Sequence, residues 1–241
     1  MPQKKPLDER LFFIHRMNGT HPRLAAVIFD LDGTLVDSAG EIHAALASAF
    51  GERGIEPLSK ADVQLLIGRG VRSTVERAMA MRNADPTGLE AMLEAFEAEY
   101  SRTVGTQAVL FPGTIEGLRM LRAARVKLAV VTNKPRAFTE TLLAKLGILE
   151  FFAAIVAGDD GVAKKPAGDM LVAAAKRMGT SVEETLMLGD SETDVRAARA
   201  AGCPVWCVPY GYNEGRDPST LACDRMVATI EEAARLLVSA V

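Results

Sequence analysis

Five short apolar runs, each ending in polar or glycine residues, set the terms on which this chain folds. They are Ala25–Phe29, Leu128–Val131, Ala154–Ala157, Leu186–Leu188 and Val205–Val208. Each has the length of a strand, and helical patterns separate the later ones: TIEGLRMLRAA, RAFTETLLAKLGI, DMLVAAAKRMG and TDVRAARAAG. Strands alternating with helices imply right-handed crossovers and a parallel sheet covered on both faces. The expected fold is therefore α/β, a doubly wound parallel sheet. Gly147, Gly179 and Gly202 stand where helices should stop. With 49% apolar and 5% aromatic residues, the composition suits close-packed helices on buried strands.

One interval breaks the rhythm. Roughly a hundred residues separate the first run from the second, against roughly 18 to 32 between later starts. The excess, 38–109, reads as helix throughout, in EIHAALASAFGERG, KADVQLLIG, VRSTVERAMAMR and LEAMLEAFEAEYSR. A stretch this long must bury its apolar stripes on itself, so it should form a small helical subdomain inserted after the first strand. VLFPGT marks the return to the core. The expected organisation is a core of residues 24–37 and 110–241, a helical insertion at 38–109, and a loose N-terminal extension at 1–23 with Met17 as the natural start.

Charge and cysteine usage narrow the setting. A net charge of -3 and a pI near 5.7 give no overall basic footprint for nucleic acid. No apolar stretch approaches the ~18 residues of a membrane span. The run Leu11–Ile14 is too short for a signal peptide. Neither nucleic acid nor a membrane is expected as a partner. Cys203, Cys207 and Cys223 form no disulfide framework, which points to a reducing, cytoplasmic compartment and buried structural thiols.

Polar residues converge where the strands end. In a parallel sheet all strand C-termini share one edge, and ligands bind there. Asp30 and Asp32 follow the first run, and Thr132 and Asn133 follow the second. The third leads to Lys164 and Lys165, the fourth into Asp190 with Asp194 four residues on. Alone, each is an ordinary turn residue or helix cap. Four in succession on one edge make a site. Two like charges about 4 Å apart cost roughly 4 kcal/mol at an effective dielectric near 20, so the acids need a cation or a proton. Carboxylates without histidine or cysteine suit Mg²⁺, which takes one or two of them plus waters and phosphate oxygens. A lysine and a hydroxyl suit the phosphate itself. A carboxylate also serves as a nucleophile.

DLDGT at 30–34, VTN at 131–133, KKP at 164–166 and GDSETD at 189–194 resemble, in order and spacing, the four motifs of the haloacid dehalogenase-like hydrolases. The resemblance spans about residues 24 to 238. FDLDGTLVDSAGEI, LIGRGVRSTVERAM, FPGT, LAVVTNKP and VPYGYNEG resemble the phosphoglycolate phosphatase subgroup. The resemblance implies a Rossmann-like core with an α-helical cap at 38–109, and Mg²⁺-dependent hydrolysis of a small phosphorylated metabolite by a monomer or homodimer. It implies that Asp30 attacks phosphorus, while Asp32 protonates the leaving alkoxide and then activates water. Mg²⁺ would be held by the Asp30 carboxylate, the Asp32 backbone carbonyl and Asp190. Asp194 would orient metal waters or Lys165. Thr132, backbone N–H groups near Gly33 and Asn133, and Lys165 would hold the phosphate. Lys165 rather than Lys164 fits because it directly precedes proline. Thr34 is either a turn hydroxyl or a helper for Asp32.

Substrate choice should lie in the cap. The carboxylate of 2-phosphoglycolate needs a reader, and GRG at 68–70 offers Arg69, with Arg72 as the alternative. After KP the subgroup continues with an acidic residue or histidine and another proline, whereas Ala167, Gly168 and Asp169 stand here. A phosphosugar mutase or a broad sugar-phosphate or nucleotide phosphatase would share the core motifs and differ in the cap. A phospho-accepting receiver would be about half this length and capless. A binding pseudo-enzyme would be expected to lack Asp30, Asp32 or Asp190, and dehalogenase chemistry would leave Asp32 with Asp190 unexplained.

Overall fold

The computed structural model describes residues 24–239. The expectations for residues 1–23, including the start at Met17, lie outside the described residues. In chain order the strands are β1 (Ala26–Phe29), β2 (Val36–Asp37), β3 (Val109–Leu110), β4 (Lys127–Val131), β5 (Ala154–Val156), β6 (Thr185–Gly189), β7 (Val205–Cys207) and β8 (Arg225–Met226). Six of them form one sheet in the order β5-β4-β1-β6-β7-β8, every neighbouring pair parallel. β1 lies at the centre, with Ala26 level with Lys127 on one side and Thr185 on the other.

The helices are α1 (Ala39–Gly51), α2 (Lys60–Gln64), α3 (Val71–Met81), α4 (Leu89–Thr103), α5 (Thr114–Ala123), α6 (Arg136–Lys145), α7 (Asp169–Met178), α8 (Glu192–Ala201) and α9 (Ile230–Ser239). They cover both faces of the sheet. Val27 and Phe29 join Leu118 and Leu121 of α5, Leu142 of α6 and Ile230 of α9. The alternate residues Ala26 and Ile28 join Met170 and Ala174 of α7 and Val195 of α8. Side chains of a strand alternate between faces, so a strand covered twice reads as a continuous apolar run. Fully burying Val27, Ile28 and Phe29 contributes roughly 1.5–3 kcal/mol each. The sheet is the doubly wound one that the spacing predicts. Gly179 and Gly202 close α7 and α8.

Helices α1 to α4 lie between β2 and β3, which pair antiparallel where the chain leaves the sheet and returns. Their buried residues follow helical spacing: Ile42, Ala45, Leu46, Ala49 and Phe50 on α1, and Met92, Leu93, Phe96 and Tyr100 on α4. A buried carboxylate ties the end of this run to its start. Glu41 accepts hydrogen bonds from the Tyr100 hydroxyl at 2.8 Å, the Gly105 N–H at 2.7 Å and the Ala108 N–H at 3.3 Å. No helix among the described residues is long and apolar enough to cross a membrane.

Candidate active site

The C-terminal edge of the sheet gathers three carboxylates around one ammonium. Asp30 follows β1, and Asp190 and Asp194 follow β6. One oxygen of each lies within 4.8 Å of the others. Lys165 Nζ reaches Asp30 Oδ1 at 2.8 Å and Asp194 Oδ1 at 2.7 Å. All four residues are buried. Burial works against the Lys165 ammonium, but Asp194 and Asp30 outweigh it and hold its pKa above the ordinary lysine value. Burial pushes Asp30 well up, with Lys165 opposing and Asp194 and Asp190 adding to the rise. Burial and then Asp194 push Asp190 up to about 7.

Local structure explains each position. Ser191 and Asp194 form a capping box at the start of α8, in which Asp194 Oδ2 accepts from the Ser191 N–H and hydroxyl. That leaves Asp194 Oδ1 for Lys165. Asp190 lies in a slot that two glycines keep open. A Cβ on Gly33 would sit 2.6 Å from Asp190 Oδ2, and one on Gly211 would sit 2.3 Å from it. The Thr34 hydroxyl donates to Asp190 Oδ1 at 2.8 Å, and the Tyr212 N–H donates to Oδ2 at 2.8 Å. Thr34 thus serves Asp190 and makes no hydrogen bond to Asp32.

Asp32 is held apart from this cluster. Its carboxylate accepts from Lys134 Nζ at 2.8 and 2.9 Å and from the Ser38 hydroxyl at 2.5 Å. The Thr132 hydroxyl accepts from the Lys134 N–H at 3.2 Å. The Asn133 amide donates to Gly68 O and Lys165 O, both at 3.0 Å, and its oxygen accepts from the Lys165 N–H at 3.0 Å. Asn133 therefore joins the lysine segment to the GRG loop.

Asp30, Asp32, Thr132, Asn133 and Lys134 form the floor of a small cavity of about 40 Å³. Ile42, Ile67, Val71, Phe96 and Tyr100 of the inserted run supply a largely apolar roof together with Thr74, with Gly68 and Gly70 at its rim. Arg69 is not among the lining residues. It is half exposed and forms an ion pair with Glu214, donating from Nη2 at 2.7 Å. Arg72 pairs with Glu90 through two bonds of 2.8 and 2.9 Å. Lys164 is exposed. Sequence reasoning passed over Lys134, Ser38, Tyr212 and Glu214. Lys134 carried a signal, since it directly follows the VTN motif at a strand end.

The donor set fits a divalent cation. Three buried carboxylates face a single ammonium, and burial drives two of them toward protonation where no other cation neutralises them. All-oxygen donors of this kind match the preference of Mg²⁺.

Residues 27–208 match the family model described as haloacid dehalogenase-like hydrolase. The phosphoglycolate phosphatase of Nitrosospira multiformis is 39% identical over 217 residues, covering 89% of this chain and 96% of that protein. That of Thiobacillus denitrificans is 36% identical over 220 residues, covering 90% and 97%. A crystal structure described as a predicted phosphoglycolate phosphatase from Haemophilus somnus superposes with a TM-score of 0.83 at 26% identity, covering 90% of this chain and 99% of that one.

Proposed function

The chain belongs to the haloacid dehalogenase-like hydrolases and is a phosphoric monoester hydrolase; from that premise we propose that it releases phosphate from small esters, above all 2-phosphoglycolate, through a phosphoaspartate on Asp30 and with Mg²⁺. The observation that carries this reading is the buried Asp30–Lys165–Asp194 chain beside Asp190 at the sheet edge. Phosphate monoester hydrolysis is among the slowest uncatalysed reactions, and a site for it needs charge neutralisation and in-line positioning above all.

Asp30 attacks phosphorus, and the ester oxygen leaves with a proton from Asp32. Asp32 then takes a proton from water, whose oxygen attacks the phosphoaspartate and returns Asp30 with inorganic phosphate. Thr132, Lys165 and backbone N–H groups near Gly33 and Asn133 hold the phosphate oxygens. Asp30, the Asp32 carbonyl and Asp190 would hold Mg²⁺, and Asp194 orients Lys165. When bound, the cation neutralises phosphate charge as it develops. Residues 38–109 act as the cap on a core of 24–37 and 110–241. The narrow cavity, bounded by Ile42, Ile67, Val71, Phe96 and Tyr100 of the insertion, favours a compact ester.

The test is phosphate release from a panel of small monoesters, with Mg²⁺ and with EDTA. Release led by 2-phosphoglycolate, lost with EDTA and reduced at least a thousandfold in Asp30→Asn, is expected. Release that persists in EDTA or in Asp30→Asn would overturn the mechanism. Release led by a different ester would overturn the substrate.

A further inference from the structure

We propose that Lys134 selects the substrate, by donating to a second anionic group that a compact phosphate ester presents beyond its ester oxygen. The inference rests on the reading that the cavity takes such an ester. A carboxylate entering an apolar roof of Ile42, Ile67, Val71, Phe96 and Tyr100 needs a cation, because an unpaired charge there loses its hydration without return.

Of the other candidate cations, Lys164 is exposed beside the rim, where a Cβ on Gly70 would sit 3.7 Å from its Nζ, and it does not line the cavity. Lys165, between Asp30 and Asp194, is the cation that serves the phosphate itself. Glu214 holds Arg69, and Glu90 holds Arg72 through both guanidinium nitrogens. Among the residues lining the cavity, Lys134 is the only basic side chain. It is 5% exposed, and its Nζ lies 5.0 Å from the centre of the Tyr100 ring, beneath the roof. An ammonium has three N–H bonds, and among the described residues Asp32 is its one hydrogen-bond partner. Capacity for a second carboxylate remains. Its backbone N–H donates to the Thr132 hydroxyl, so the side chain is anchored on the segment that faces the phosphate. An ester whose tail is neutral leaves this ammonium with Asp32 alone, and a site built around a polar partner discriminates strongly against a ligand that lacks it.

The experiment compares 2-phosphoglycolate with 2-hydroxyethyl phosphate, which carries a hydroxymethyl group in place of the carboxylate. kcat/KM is measured for both with the Mg²⁺-loaded wild type, Lys134→Met and Lys134→Arg. The ratio of the two values is expected to fall at least tenfold in Lys134→Met and to be largely kept in Lys134→Arg. Equal losses on both esters, with the ratio unchanged, would overturn the proposal and leave Lys134 as a positioning residue for Asp32. Calorimetric binding of phosphonoacetate against ethylphosphonate reads the same preference without turnover. The wild type is expected to prefer phosphonoacetate and Lys134→Met to lose that preference; no preference in the wild type, or no binding of phosphonoacetate, would count against Lys134. If neither ester is hydrolysed the functional reading fails, and the phosphonate pair still decides the role of Lys134.

Discussion

Asp190 shows what burial does to a single side chain. Enclosed between Gly33 and Gly211, its carboxyl is pushed up to about 7, by burial first and Asp194 second. In the unfolded chain the same group returns to about 3.9. Between those values the folded state binds more protons than the unfolded one, so stability declines as pH rises. The metal-free protein is therefore expected to lose melting temperature from about pH 4 to about pH 7 relative to Asp190→Asn, which lacks this titration. Mg²⁺ should restore it, with the larger gain at the higher pH. Parallel melting profiles for the two proteins would contradict this. At this scale the sequence was legible where a residue's position in the topology decides its surroundings. Asp30 and Asp190 lie directly after strands, so the sheet itself brings them together. Lys134 and Asp32 lie 102 residues apart, and Arg69 and Glu214 145 apart. Those partners were chosen by tertiary contact, which no local spacing encodes. Thr34 went to Asp190 for the same reason.

The elements that positional patterns reveal are those that bury both faces or carry a long stripe. β1, β4, β5, β6 and β7 read as apolar runs because helices cover them twice. β2, β3 and β8 have two residues each, too few to show alternation, and β8 is an edge strand with a partly exposed arginine. Two of the contacts made by the inserted helices each make a prediction. Glu41 satisfies one hydroxyl and two backbone N–H groups, with no basic partner among the described residues. Glu41→Leu leaves those donors buried and unpaired, and should cost about 2–4 kcal/mol of stability by denaturant titration; a loss below about 0.5 kcal/mol would refute the assignment. The loop after β7 is the second contact. Asn213 and Glu214 both have positive φ, at 38° and 51°, a conformation unusual for residues other than glycine. The Asn213 side chain accepts from the Glu192 N–H at 3.2 Å, and Glu214 receives Arg69 and Arg77 from the insertion. Glu214→Gln should speed amide exchange in residues 65–77 severalfold while leaving β1 and β6 protected. Unchanged exchange in 65–77 would show that the ion pairs contribute nothing to closure.

Across the whole molecule, the parallel sheet is what turns scattered residues into a reactive site. Four segments separated by up to 160 residues of chain, from Asp30 to Asp190, deliver their side chains to one edge because every strand points the same way. The inserted helices then roof that edge with apolar side chains, leaving a small cavity over Asp30 and Asp32. This arrangement was readable from strand-ending polar residues and one overlong interval. The basic residue lining the cavity was not, because Arg69 pairs with Glu214 while Lys134 faces the interior. The central claim is that phosphoryl transfer passes through Asp30. It is tested by acid-quenching the wild type during turnover of its best ester with Mg²⁺ and mapping the phosphorylated peptide by mass spectrometry. The account predicts one phosphoryl group on Asp30 of DLDGT, absent from Asp30→Asn. Steady turnover with no phosphorylated Asp30 at any quench time, or a phosphoryl group on another residue, would contradict it.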